Sequence, residues 1–501
     1  MISGTIGAAL DASWRPVLAP AVVAITAMAV MLVGSRLGEE DSEGLGWLTF
    51  SGLALAALCA FAAVGRHAPA FAGALIVDDY TAFFYCLIAV CAAMVVLLSL
   101  DYVPALELPS TEYYALLLSA TVGMMLMAAA GDLIIIFLGL ETMSISVYVM
   151  AAIARRDPRS SEAGLKYFLL GAFSTGFLLY GIALLYGATG SIKLEAISRA
   201  LQSSALAASP LVLLGLAMML IGFGFKVAAV PFHAWTPDAY EGAPTPVTAL
   251  MAVGVKSAAF AGFLRLLLVY LPALHAQWGG ALWVLAALTM SVGNLVALAQ
   301  NNVKRMLAYS AIAHAGYILV GMTAAGGAAG AAVLYYLLGY AFANLGAFAV
   351  LVAVERVEQP GTTLTDLGGL AKGQPMLAAA MALFMLSLMG LPPLAGFVGK
   401  FYVFSAALQA GYVWLVVLAA LNSVLSTYYY ARVIVAMYVN EGAERKLRAR
   451  RPGLSVALAV AIVATIIIGV YPRPYVEMAA GAYASAAGIA RSGVRAAFLA
   501  H

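Results

Sequence analysis

Residues 210–231, PLVLLGLAMMLIGFGFKVAAVP, and residues 246–271, PVTALMAVGVKSAAFAGFLRLLLVYL, decide how this chain is read. As a helix, an apolar run of about 20 residues crosses the ~30 Å hydrocarbon core of a bilayer. Both runs are at least that long, and each holds one lysine inside it, Lys226 and Lys256. The first run ends on Pro231, and proline removes a backbone donor and frees a carbonyl. In lipid such a break is tolerated only beside protein or water. A buried cation and a proline break together point to helices that line a hydrated route.

Runs of the same kind recur along the chain. They predict fourteen spans at about 17–35, 46–64, 80–100, 112–130, 132–153, 164–187, 210–231, 246–271, 281–300, 304–323, 331–353, 375–410 (interrupted), 412–439 and 453–471. Of the 501 residues, 64% are apolar and only 10% charged, against roughly a quarter charged in soluble domains. That excludes a soluble globular fold. The expectation is an all-α polytopic membrane protein of one membrane domain, 1–501. A net charge of +3 gives no footing for nucleic acid. Cys59, Cys86 and Cys91 form no CxxC, and His67, His233, His275, His314 and His501 form no facing pairs. Zinc, iron–sulfur and haem sites are therefore not expected, and no cofactor is assigned to the chain. The first residues lack a basic n-region, so the first run is expected to be retained. Residues 191–208 read as an amphipathic helix at one surface, and 472–501 as too short and polar for another span.

Odd-numbered connections hold fourteen lysines and arginines, among them Arg36, Arg155, Arg156, Arg159, Lys304, Arg305, Arg356, Arg445, Lys446, Arg448, Arg450 and Arg451. Even-numbered connections and the tails hold seven: Arg15, Arg66, Lys193, Arg199, Arg473, Arg491 and Arg495. The positive-inside rule then puts odd connections in the cytoplasm and both termini on the periplasmic side. Span 6 opens YFLLG at 167–171 and span 11 carries YYLLG at 335–339. Five spans separate them, so the copies run oppositely, as in inverted repeats. The repeats are expected at 112–271, spans 4–8, and 281–440, spans 9–13. Spans 7 and 12, which correspond, are both broken by proline, the latter in GLPPLAG at 390–396.

Five basic residues fall inside spans: Lys226, Lys256, Arg265, Lys400 and Arg432; the acid Glu141 lies mid-span 5. A charge at the bilayer centre costs ~2.5–3.5 kcal/mol on insertion scales. Arg265 and Arg432 read as structural or snorkelling groups near helix ends. Lys226, Lys256, Lys400 and Glu141 suit proton relay. Desolvation disfavours a charged lysine and brings it toward release of its proton, and a nearby carboxylate holds that proton in place. At ~4 Å and an effective dielectric of about 20, such a pair gains ~4 kcal/mol. Arginine cannot serve, because it does not deprotonate in proteins. His314 reads as a bridge between Lys256 and Lys400 or as a packing residue. Tyr428, Tyr429 and Tyr430 read as an interfacial tyrosine belt.

Residues 225–249, FKVAAVPFHAWTPDAYEGAPTPVTA, strongly resemble the signature of the antiporter-like subunits of respiratory complex I, a family that includes Mrp-type cation/proton antiporter subunits. The resemblance runs over nearly the whole chain. It implies a proton-translocating subunit of an NADH:quinone oxidoreductase in a bacterial inner membrane, with no redox chemistry in this chain. It implies sibling membrane-arm subunits, neighbouring antiporter-like subunits and the lipid bilayer as partners. The family's span-5 glutamate falls on Glu141, its span-7 lysine on Lys226, its span-8 lysine on Lys256 and its span-12 residue on Lys400. Glu162 matches a second family acid near the membrane surface. Lysine at 400, where the M-type branch has glutamate, and the lack of the L-type's long lateral helix point to the N-type branch. A free-standing cation/proton antiporter and a structural subunit with an inert lysine row remain the alternatives.

Overall fold

A computed structural model describes residues 17–37, 42–355, 363–441 and 452–488. Arg15, Arg356, Arg445, Lys446, Arg448, Arg450, Arg451, Arg491, Arg495 and His501, used above, lie outside these residues. The fold is all-α and polytopic. Among the described residues, twelve helices are long and apolar enough to cross a membrane, and two shorter apolar ones, Pro210–Lys226 and Pro375–Met389, fill the places of spans 7 and 12. Boundaries agree with the sequence reading to within several residues; span 6 is the most extended, running Pro158–Thr189.

Spans 8 (Thr245–Tyr270) and 10 (Val303–Ala324) are 94% buried, whereas spans 6 and 13 (Val413–Tyr438) are 33% buried. Leu58, Phe61, Phe173 and Val424 lie on the outer faces with most of their surface open. Such apolar exteriors fit a hydrocarbon solvent, in which polar groups must be satisfied inside the bundle. The interior is accordingly where the buried cations stand.

Both expected breaks are present. Span 7 stops at Lys226 and resumes as Trp235–Gly242; span 12 stops at Met389 and resumes as Ala395–Gln409. The freed backbone of the first break finds partners in the protein: Val230 N donates to Thr289 Oγ1 (2.9 Å) and Trp235 Nε1 to the Phe225 carbonyl (3.1 Å). Gly390 closes the first half of span 12 at φ 94, a left-handed conformation that glycine takes without steric cost. Span 8 departs from a regular α-helix, with wider π turns at Met251–Val255, just before Lys256, and at Arg265–Tyr270. Local sequence gave no sign of these turns. At the surface, residues 191–208 form two short helices, Leu194–Ala200 and Ser204–Ala207. Within the tail, Arg473–Ala487 is a helix packed on spans 3 and 11.

Candidate functional site

Glu141 and Tyr148 lie on the span 5 helix Leu133–Ala151, seven residues apart. Two helical turns put them on the same side of that helix. Lys226, the last residue of its half-helix, is buried and donates to Tyr148 Oη at 3.1 Å. Its ammonium also stands 4.9 Å from the Tyr148 ring centre and 5.3 Å from that of Tyr167. Trp235, from the other side of the break, stacks on Tyr167 at 4.0 Å. Gly171, the last residue of YFLLG, allows this arrangement, since a side chain there would meet the Tyr148 hydroxyl. Glu141 is half buried, forms no ion pair with Lys226, and leaves Oε1 enclosed without a partner.

Span 10 organises the other half of the site. The Lys256 ammonium donates to the Ala311 carbonyl on that helix. One turn further on, His314 is 3% exposed, with Nδ1 paired to Tyr336 Oη at 2.6 Å and Nε2 to Tyr430 Oη at 3.0 Å. In a neutral imidazole one nitrogen donates and the other accepts. Three residues later, the Tyr317 ring lies 5.0 Å from the Lys400 ammonium. Lys400 Nζ donates to the Met389 carbonyl (2.8 Å), at the end of the first half-helix, and to Ser423 Oγ (2.9 Å). A β-carbon on Gly390 would lie 3.1 Å from Lys400 Cδ, so glycine also makes room for this side chain. Tyr340 faces both neighbours, 5.6 Å from the Lys256 ammonium and 5.0 Å between ring centres with His314. A cavity of about 10 Å³ lies against His314, Tyr336, Tyr340 and Ser387, near the ~10–15 Å³ that one water needs.

The structure therefore gathers Lys256, His314 and Lys400 around span 10 and sets Glu141 and Lys226 together around Tyr148. Glu162 stands apart: it is exposed and pairs with Lys166 at 2.7 Å. Lys166 continues to Asp238 (2.7 Å), and Arg305 joins Asp238 (2.7 Å) and Glu241 (2.9 Å). This network ties spans 6, 7 and 10 at the face that carries Arg155 and Arg159.

Two sequence expectations need correction. Tyr429 and Tyr430 are buried and hydrogen-bonded, to Asn294 and to Ser310 and His314; only Tyr428 of that triplet is exposed. Helical rotation turns the three neighbours to different sides, which a sequence triplet conceals. Lys304 is no connection residue: it is 3% exposed and donates to the Ala243 carbonyl at 2.7 Å. Of the two readings of Arg265 the structural one holds: it is buried and paired with Asp78 at 2.8 Å, with Thr81 beside it. Arg432 does hold a structural place, bonding the Leu298 carbonyl (2.7 Å) beyond the end of span 9. Tyr148, Tyr336 and Tyr340 were missed, and the four-residue spacing of the last two was the available signal.

The sequence profile of the NADH:quinone oxidoreductase/Mrp antiporter transmembrane family matches residues 130–426. Over 460 residues the chain is 48% identical to NADH-quinone oxidoreductase subunit N of Trichlorobacter lovleyi, covering 91% of this chain and 94% of that protein. It is similar to a chain in the structure of respiratory complex I from Thermus thermophilus with bound aureothin, at 37% identity and a TM-score of 0.79, covering 93% of this chain and 100% of that one. Similarity to a chain of an archaeal respiratory membrane complex, the membrane-bound sulfane sulfur reductase, has a TM-score of 0.85 at 27% identity, covering 97% and 100%.

Proposed function

Because this chain belongs to the NADH:quinone oxidoreductase/Mrp antiporter transmembrane family, we propose that it is a proton-translocating membrane-arm subunit of an NADH–quinone oxidoreductase. Electron transfer takes place in other subunits, and protons pass here along Glu141, Lys226, Lys256, His314 and Lys400. The observation that carries this reading is the line of contacts on span 10: Ala311 to Lys256, His314 to its two tyrosines, Tyr317 to Lys400. A merely structural lysine row gains nothing from having a titratable imidazole between its members. The subunit N name of a relative with 48% identity supports the complex I assignment over a free-standing antiporter.

Each lysine has a distinct part. Lys226 exchanges its proton under the control of Glu141, with the Tyr148 hydroxyl as its hydrogen-bond partner. Lys256 receives the proton at the middle of the membrane, and His314 with Tyr336 and Tyr430 hands it toward Lys400. Moving one charge against 100 mV requires ~2.3 kcal/mol, which is within the range of a lysine–carboxylate interaction at short distance. Glu162 belongs to the surface network that braces spans 6, 7 and 10. The arginine-rich face is cytoplasmic, both termini face the periplasm, and sibling antiporter-like subunits flank this one. Spans 4–8 and 9–13 form inverted repeats; the matched breaks in spans 7 and 12 support this arrangement.

The test is Lys256→Ala against Lys256→Arg, read as NADH–quinone turnover and proton uptake in membranes containing normal amounts of assembled complex. Alanine is expected to abolish pumping. Arginine is expected to do little better, because it keeps the charge and cannot release it. Full pumping by the arginine variant would reduce Lys256 to a fixed charge and sink the relay. Transport that persists without an electron-transfer complex would favour the free-standing antiporter.

A further inference from the structure

A cleft of about 1240 Å³ opens on the arginine-rich face, and Tyr102, Arg155, Arg159, Glu241, Lys304 and Glu355 are among its walls. Glu355 follows span 11 (Gly326–Val354) as its C-cap. A carboxylate there sits at the negative end of the helix dipole, an unfavourable place for a purely structural acid. It is held by two donors from other elements: Thr245 Oγ1, at the start of span 8 (2.5 Å), and Tyr102 Oη (3.3 Å). Lys304, bonded to the Ala243 carbonyl, lines the same cleft.

Spans 8 and 11 pack along each other from this point inward. On span 11, Asn344 lies eleven residues from Glu355; on span 8, Lys256 lies eleven residues from Thr245. On the α-helical span 11, eleven residues make about three turns and ~16 Å and return to the same face; on span 8 the wider π turn at Met251–Val255 lies between Thr245 and Lys256. Asn344 is fully buried, and both polar atoms of its side chain lack a hydrogen-bond partner. No other described residue leaves two buried side-chain atoms unmet. Tyr340, one turn further in, has its hydroxyl within weak hydrogen-bonding reach of Asn344, neither group meets a partner in full hydrogen-bond geometry, and its ring faces Lys256. Buried amides and hydroxyls without partners are costly, and ordered water is the usual remedy.

We propose that the seam between spans 8 and 11 is the path by which protons reach Lys256 from the cleft, that Glu355 collects them, and that Asn344 holds the water midway. This rests on the relay proposed above and assigns its uptake side to named residues. A proton from cleft water adds to the Glu355 carboxylate. The acid passes it to water at Asn344, and the water file delivers it to the neutral amine of Lys256. No bond other than those to the proton is made or broken. At a hydrogen-bond spacing of ~2.8 Å, about five waters span the distance.

The experiment uses the assembled complex in inverted membrane vesicles, with NADH–quinone turnover and proton uptake read together. Glu355→Gln and Asn344→Leu are expected to lower proton uptake about tenfold or more, at the low end of what a positioned proton-transfer group contributes. Glu355→Asp is expected to retain most of it. Formate in the outer medium is expected to restore uptake severalfold in Glu355→Ala, which a role in packing alone does not permit. If Asn344→Leu fails to assemble, Asn344→Ala takes its place. Full pumping by Glu355→Gln and the Asn344 variant, with Lys256→Ala inactive, would overturn this path and leave the relay standing. Inactive but assembled Glu355→Ala that formate does not rescue would also overturn it. Full pumping by Lys256→Ala would remove the relay and this path together.

Discussion

Lys226 and Lys400 each sit at a broken helix, and each stands over a tyrosine, Tyr148 at 4.9 Å and Tyr317 at 5.0 Å. Under the proposed repeat, the helices that supply these tyrosines, spans 5 and 10, correspond. Seven residues before Tyr148 comes Glu141; seven before Tyr317 comes Ser310. One lysine thus has an acid in its surroundings, whereas the other has a hydroxyl that is already bonded to Tyr430. Their positions relative to the breaks differ too. Lys226 ends the half-helix before its break, and Lys400 lies in the half-helix after, reaching back to the Met389 carbonyl. The same architecture serves one cation with a charge that can be altered and the other with fixed dipoles. Under the proposed relay, control belongs where the charge is, and a resting place for a proton where the dipoles are.

The sharpest way to break this comparison is to neutralise the acid. Glu141→Gln is expected to cut coupled turnover about tenfold or more, equivalent to a lost interaction of ~1.4 kcal/mol. Ser310→Ala at the corresponding place is expected to change it by less than about twofold, as for an ordinary neutral hydrogen bond. Equal losses would mean that the two ends do not differ in kind. Tyr148→Phe comes next, since it keeps the ring and removes the hydroxyl. Losing a hydrogen bond to a charged group while retaining the ring's attraction is expected to slow proton uptake about fivefold. Smaller again is Ser423→Ala, which leaves Lys400 its carbonyl and is expected to cost about twofold. Near-normal uptake in Tyr148→Phe alongside a severe loss in Ser423→Ala would reverse the assignment of control and resting place.

The membrane fold was legible because hydrocarbon demands long apolar helices, and neither the breaks at Pro231 and Pro392 nor the count of spans needed more than local sequence. The positions of the interior cations were legible for the same reason: Lys226, Lys256 and Lys400 interrupt runs that tolerate no charge without a partner. Their partners were not. Tyr148 is 78 residues from Lys226, and Ala311 is 55 residues from Lys256. Helix packing decides such contacts, and no spacing in the chain encodes them. Lys304 was misread because a cation at a span boundary has the same sequence signature whether it turns outward or inward. Tyr430 was misread because an aromatic triplet looks alike at an interface and in a core.

Span 10 touches Lys256, holds His314 and faces Lys400 within about 9 Å of its own length, from Ala311 to Tyr317. A hydrogen-bonded helix translates as a stiff rod, so these three junctions cannot loosen independently. A slide of half an ångström or so along its axis, small beside the shifts of packed helices in switching proteins, alters all of them in the same instant. The bundle thereby turns several chemical distances into one mechanical coordinate, and under the proposed relay whatever leans on that rod from outside sets the timing of the whole line.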